Sequence, residues 1–250
     1  MQLKQNKNIT MDSKEKRTVG LTANKLFKPK TFEEGIENMV GACNDVTVKE
    51  RWEKETPVFA QEILKLLPAG GKTVLDYGCG IGRLAKEVLK QNRTVKVIGV
   101  DTSTQVIELA KQYIDDSRFV TRDPRKLAEP VDLAYCVYVL QHVPAVEIRE
   151  ILQRIHHCLK KNGIFIVCSS EYRMAMRFDL PLFEDDRRLG VDLRQEISRY
   201  FIRSRELFST KVLETNPIVK RIVTACDGGL VHPALVYKKR VQNGPLFNYE

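Results

Sequence analysis

The sequence predicts an open α/β fold, a mostly parallel sheet covered by helices. From residue 72 to 170, strand-length apolar runs alternate with segments of helical periodicity, and a glycine-rich turn follows the first of those strands. Alternation of this kind requires crossover connections, and crossovers make the strands parallel. Near the end, two β-rich runs flank Asp227-Gly228-Gly229, a hairpin turn signal that adds an antiparallel pair.

Residues 1–30 are polar and basic without sustained periodicity and read as a flexible arm. Phe32, Ile36, Met39 and Val40 then fall on one helical face. Thr47-Val48-Lys49-Glu50 has the form of a capping box, and apolar residues recur through Phe59, Ile63, Leu66 and Leu67. Pro57 is placed to kink or restart that helix, and Pro68 to Gly71 stop it. Residues 31–70 thus form a helical lid ahead of a core over 71–170. In the core, strands are expected over 72–77, 94–101, 118–123, 131–140 and 163–170. Helices are expected from the glycine turn to Gln91, over 104–113 and over 144–159. A variable segment, 171–195, precedes a helix over 196–212 and strands over 218–225 and 231–241, with Pro233 suited to an edge or bulge. Residues 31–250 read as one domain.

The 250 residues suffice for a full core without disulfides or metals. No apolar run approaches the roughly 18 residues of a spanning helix. The N-terminus lacks the apolar region of a secretory signal. Six cysteines (43, 79, 136, 158, 168 and 226) form no C-x-x-C pair and sit among apolar residues, as reduced core thiols do. A reducing, cytoplasmic setting is expected, with no metal site. The net charge of +9 is uneven: residues 1–30 carry net +6, residues 199–250 net +5 and the middle net −2. Basic ends attract nucleic acid, acidic substrates or anionic surfaces, or simply solvate the chain.

The chemistry resides in VLDYGCGIGRLAKEVLK, residues 74–90. A strand ends near Asp76, and Gly78, Gly80 and Gly82 permit a tight turn and close ligand approach. A dinucleotide fingerprint would place its third glycine one residue later, where Arg83 stands. The carboxylate two residues before the first glycine suits a cationic ligand better than a pyrophosphate. S-adenosylmethionine, with a sulfonium, an ammonium group and no phosphate, fits that pattern. Asp101, 19 residues after Gly82 at the end of the next strand, is placed to accept both ribose hydroxyls. Asp123 ends the third strand, near where an adenine amino group would lie. Each acid taken alone could equally cap a helix.

Together, VLDYGCGIGRL (74–84), VIGVD (97–101), FVTRD (119–123), VDLAYCVYVLQHVP (131–144) and LKKNGIFIV (159–167) resemble the class I S-adenosylmethionine-dependent methyltransferases. The resemblance covers about residues 70–170. It implies a Rossmann-like, seven-stranded, mostly parallel sheet with a C-terminal antiparallel hairpin and helices on both faces. It places Asp76, Gly78, Cys79, Gly80 and Gly82 around the methionine part of the cofactor, Asp101 and Thr102 at the ribose and Asp123 at the adenine. Cys136 and Val137 would flank the cofactor. Tyr138 stands where many relatives carry a small polar residue, which leaves it to face the substrate.

Methyl transfer is an in-line displacement on an activated carbon, so alignment and exclusion of water are the main tasks. A base is needed only for an acceptor that carries a proton. His142, in LQHVP, is the candidate, with helix packing or capping as the alternative role. From the lid, Arg51 could meet the methionine carboxylate and Trp52 the substrate, against solvation and packing as ordinary roles. Tyr172, Arg173 and Arg177 mix aromatic and basic groups suited to an acidic or aromatic acceptor. The LQHVP form favours a small-molecule acceptor, methylated at oxygen or nitrogen. The basic ends support a second reading, an RNA-modifying methyltransferase, and a third is a non-catalytic cofactor-binding protein.

Overall fold

The structure is a computed structural model that describes residues 29–40, 48–140, 143, 145–168, 193–206 and 234–240. Residues 1–28 of the arm, most of the variable segment, His142, the run 218–225 and the Asp227-Gly228-Gly229 turn lie outside the described residues.

Seven strands form one sheet in the order β3-β2-β1-β4-β5-β7-β6. They are β1 (Thr73–Tyr77), β2 (Lys96–Val100), β3 (Phe119–Arg122), β4 (Val131–Val137), β5 (Leu159–Cys168), β6 (Phe201–Glu206) and β7 (Ala234–Lys239). The first five run parallel, and β7 is antiparallel to both β5 and β6. β1, β2 and β4 are apolar almost throughout and buried on both faces, as strands between two helical layers must be. One face carries α2 (Thr56–Lys65), α3 (Arg83–Gln91) and α4 (Thr104–Ile114), packed on Val74, Val97, Leu133 and Ile166. The other carries α5 (Ala145–Cys158) and α6 (Leu193–Tyr200), packed on Leu75, Ile98, Ala134 and Phe165. Before α2 come α1 (Phe32–Val40), a helical turn (Val48–Glu50) and a π-helical stretch (Arg51–Glu55). Pro57 lies in the first turn of α2, where its missing N–H costs nothing.

The chain leaves β1 toward β2 on one side and later returns to β4 on the other. That reversal of strand order opens a crevice beyond the carboxyl ends of β1 and β4.

Three expectations change. The strand expected over 131–140 ends at Val137, because Tyr138 takes a left-handed backbone (φ 59°) that turns the chain. β5 begins at Leu159 rather than 163, since a register irregularity between Val131 and Leu133 absorbs the extra residues. The expected helix over 196–212 is α6 followed by β6: the chain leaves the helix at Tyr200 and pairs with β7. Phe201 is buried at 1% exposure while Ile202, the next residue, is 52% exposed, and the ladder to β7 sets this segment as a strand in place of the helical spacing of Ile197, Tyr200 and Phe201. Among the described residues β7 pairs with β5 and with 201–206.

At the opposite end from the crevice, Asp132 ties three strands together. Its carboxylate accepts Lys72 N–H (2.9 Å), Thr73 N–H (3.0 Å) and the Lys160 ammonium (2.7 Å). Burial pushes this carboxyl up, but Lys160 and the two backbone donors outweigh it and hold it below the usual carboxylate range. Its stabilisation is present above the unfolded-state carboxylate range and is lost as pH falls through the depressed native value. Asp132→Ala should therefore cost ~1–3 kcal/mol at neutral pH, the scale of orphaned backbone donors. Urea denaturation at pH 7 and pH 3 should show that cost shrinking in acid.

Candidate active site

The glycine turn is built by positive φ angles that only glycine takes readily. Gly78, Gly80 and Gly82 have φ of 76°, 54° and 85°. The N–H groups of Gly78 and Cys79 donate to the Val100 carbonyl at 2.8 and 2.9 Å, fixing the turn against the end of β2. A Cβ on Gly78 would lie 2.3 Å from a Val139 methyl, and one on Gly82 would lie 2.6 Å from Ile114 Cδ1. The turn is thus wedged between the chain leaving β4 and the end of α4.

Asp76 and Tyr135 are register partners on β1 and β4, so both side chains leave the same face of the parallel sheet. The Tyr135 hydroxyl donates to Asp76 Oδ2 at 2.9 Å. Asp76 is 5% exposed and Tyr135 is fully buried. Burial pushes the Asp76 carboxyl up to about 7, against the Tyr135 hydrogen bond, which lowers it; Asp101 raises it and Arg83 lowers it. Among the described residues no donor reaches Asp76 Oδ1. Asp101 accepts Gly80 N–H on Oδ2 (3.1 Å) and Ser103 N–H on Oδ1 (3.0 Å). Each of its oxygens keeps a lone pair for a further donor. Burial raises this carboxyl and the backbone donors oppose that. Asp123 instead caps a short 3₁₀ turn, accepting Arg125 N–H at 2.9 Å and pairing with the Arg125 side chain.

Cys79 and Cys136 are buried thiols pushed up by burial, Cys79 closing on its neighbour's carbonyl (3.6 Å to Gly80 O). Val137 and Tyr138 are half-buried at the end of β4, and Tyr138 N–H donates to the Cys168 carbonyl. Thr102 is exposed beside Asp101.

The N-terminal helices pack onto the turn. A Cβ on Gly35 of α1 would lie 2.8 Å from Ile81 Cγ2, so α1 crosses directly over the glycine turn. Phe32, Trp52 and Tyr113 meet as an aromatic cluster with centroids 4.4–5.9 Å apart, and the Lys86 ammonium lies 3.9 Å from the Tyr113 ring centroid. Glu55, 1% exposed, takes Arg83 Nη1 at 3.3 Å and joins this segment to the start of α3.

Asp76, Gly78, Cys79, Gly80, Gly82, Asp101 and the end of β4 therefore lie around the carboxyl ends of the central strands. Trp52 is engaged in the aromatic cluster. The Arg51 backbone lies in the π-helical stretch, and its side chain, like His142, Tyr172, Arg173 and Arg177, lies outside the described residues. Sequence reading missed Tyr135, Glu55 and Arg83. A tyrosine in an otherwise apolar central strand was the available signal for the first. Nothing local marked the other two as partners, because 28 residues separate them.

Residues 51–205 match the family described as "Methyltransferase domain". The chain belongs to the class I S-adenosylmethionine-dependent methyltransferases. The chain is 33% identical over 115 residues to a ubiquinone biosynthesis O-methyltransferase of Bradyrhizobium diazoefficiens, covering 44% of each chain. It is 34% identical over 96 residues to a trans-aconitate 2-methyltransferase of Enterobacter sp., covering 38% of this chain and 37% of that one. Across these two and an uncharacterized methyltransferase of Anoxybacillus flavithermus, it spans 37–62% of the relative's length. Two solved structures share the fold. They are the N-methyltransferase NodS of Bradyrhizobium japonicum with S-adenosyl-l-homocysteine (15% identity, TM-score 0.54, 88% of this chain and 97% of that one) and magnesium protoporphyrin IX methyltransferase of Synechocystis with bound S-adenosylmethionine (17%, 0.52, 94% and 100%).

The family's cofactor is S-adenosylmethionine, and the residues here fit it. The glycine turn admits a ligand at the backbone, Asp101 has lone pairs for hydroxyl donors, and among the described residues a buried carboxyl oxygen of Asp76 lacks a donor that an ammonium group would supply. Among the described residues no cluster of His, Cys, Asp and Glu could hold a metal, and no helix is long and apolar enough to cross a membrane.

Because the native fold holds Asp76 near pH 7, its neutral form is favoured below that value. Binding a cation against it must then expel a proton. S-adenosylmethionine affinity should fall as pH drops below about 7, by up to tenfold per unit. Calorimetry from pH 5.5 to 8.5 should show that slope in the wild type and a flat profile in Asp76→Asn.

Proposed function

We propose that the methyltransferase moves a methyl group from S-adenosylmethionine to an oxygen or nitrogen of a small-molecule acceptor. The observation that carries the cofactor side is the buried Asp76 carboxyl with one oxygen lacking a partner among the described residues, set beside a glycine turn at the switch point of the sheet. The acceptor class is supported by relatives whose names give ubiquinone biosynthesis and trans-aconitate as their chemistry.

Bound S-adenosylmethionine supplies an electrophilic methyl carbon. Transfer would join the acceptor's lone pair to that carbon as the carbon–sulfur bond breaks and would release S-adenosylhomocysteine, with any acceptor proton passing to a base or to water. The chain's residues orient and enclose. Asp76 takes the ammonium group, Asp101 with Thr102 takes the ribose, Cys136 and Val137 line the cofactor, and Asp123 lies toward the adenine. α1 and the π-helical stretch act as the lid that keeps water from the methyl carbon, with Arg51 assigned to the methionine carboxylate and Trp52 to the acceptor side. Tyr138, Tyr172, Arg173 and Arg177 are assigned to the acceptor, and His142 to its proton. Two arginines in that set suit an acceptor bearing carboxylates.

Incubation of the purified protein with methyl-labelled S-adenosylmethionine and a cell extract tests this directly. Label should enter the metabolite fraction. Label in RNA instead would make the basic ends substrate contacts, and label in no fraction, with the cofactor tightly bound, would favour a non-catalytic binding protein.

A further inference from the structure

Tyr135 is a hydroxyl placed where the sheet asks for a hydrocarbon. Its neighbours on the same face of the central strands are Val74 and Leu133, and the ring is fully buried among them. A buried hydroxyl is tolerated only when it is hydrogen-bonded, and its acceptor here is a second buried polar group, Asp76, at 2.9 Å. The pair thus places two polar side chains in the apolar layer directly beneath the glycine turn. A carboxyl there without a fixed donor would rotate freely about its terminal torsion. With Oδ2 held, Oδ1 is the oxygen that stays without a donor among the described residues.

We propose that Tyr135 is a positioning residue for cofactor binding: its hydroxyl fixes one oxygen of Asp76 and leaves the other to receive the ammonium group of the methionine part of S-adenosylmethionine. This rests on the methyl-donor reading above. Among the described residues the charged and titratable groups around Asp76 are Asp101 just past the end of β2, Arg83 at the start of α3 with Glu55 beyond it, Cys79 in the turn, and Tyr135 and Cys136 on β4. Of these, Arg83 and Tyr135 favour the carboxylate form of Asp76. Arg83 is already paired with Glu55, and Tyr135 is the group that touches the carboxyl. Removing its hydroxyl therefore leaves Asp76 more strongly held in the neutral form and less well aimed.

Tyr135→Phe keeps the ring and its packing, and three ligands read its effect: S-adenosylmethionine, S-adenosylhomocysteine and 5′-methylthioadenosine, which has the nucleoside and thioether but no amino-acid part. Calorimetry near pH 7 should show the first two binding about tenfold more weakly and the third within about twofold of wild type, since a hydrogen bond to a charged group is lost at the amino-acid end alone. The pH below which S-adenosylmethionine affinity declines should also move upward. In an Asp76→Asn background, Tyr135→Phe should change the ratio of S-adenosylmethionine to 5′-methylthioadenosine affinity by less than about twofold, because the partner it acts through is gone. Equal weakening of all three ligands, no change in any, or an undiminished effect in the Asp76→Asn background would overturn the role. Should Tyr135→Phe not fold, 3-fluorotyrosine at position 135 keeps the ring and strengthens the donor. It should move the pH decline downward, and an unmoved profile would overturn the role equally. Failure of the wild-type protein to bind S-adenosylmethionine or S-adenosylhomocysteine at all would overturn the methyl-donor reading itself, a result separable from the others.

Discussion

A carboxyl group desolvated at the centre of the sheet is the constraint on which the rest of the site depends. Asp76 sits on β1, between β2 and β4, with 5% of its surface exposed. An ionised carboxylate in such a place is costly unless a counter-charge arrives. Among the described residues Asp76 has one neutral donor, Tyr135, and the attraction of Arg83, which is itself committed to Glu55. The group is therefore poised near neutrality, and in the proposed reading a cationic ligand would resolve the imbalance. A structural carboxyl would be finished by the protein's own donors, as Asp132 is by Lys72, Thr73 and Lys160 at the opposite end of the sheet. The two aspartates show the difference between a clamp and a site in one fold.

Around that carboxyl the backbone is shaped by exclusion. Val139 occupies the space a Gly78 side chain would need, Ile114 occupies that of Gly82, and Ile81 occupies that of Gly35. Three close approaches hold the turn against the chain leaving β4, against α4 and against the N-terminal helix at once. The Glu55–Arg83 pair and the Phe32–Trp52–Tyr113 cluster add polar and aromatic contacts from the same N-terminal segment. The helix that begins just after the turn is therefore fixed at its start from both sides.

The core of this arrangement was legible in the sequence because it is local. Strand, glycine turn and helix follow one another within residues 73–91, and the acids at the ends of β1 and β2 stand at fixed offsets from them. Apolar runs long enough to be buried on both faces announced the parallel strands. What escaped was set by distant pairing. Residues 201–206 carry a spacing that suits a helix until β7 offers a ladder of hydrogen bonds, and the strand period then prevails. The reach of β4 was overread because Tyr138-Val139-Leu140 is apolar, while its left-handed turn at Tyr138 is a tertiary feature. Asp123 was legible as an acid at a strand end, and its side chain adopts the capping role that such a position also permits. Tyr135 and Asp76 are 59 residues apart and meet only because β1 and β4 are neighbours in register.

A crystal structure of the complex with S-adenosylhomocysteine tests the central claim most directly. The account predicts the ligand's ammonium group within hydrogen-bond distance of Asp76 Oδ1, its ribose hydroxyls on Asp101, and the Tyr135–Asp76 hydrogen bond intact. A ligand whose amino-acid end lies away from Asp76, with that carboxyl still lacking a second partner, would contradict it.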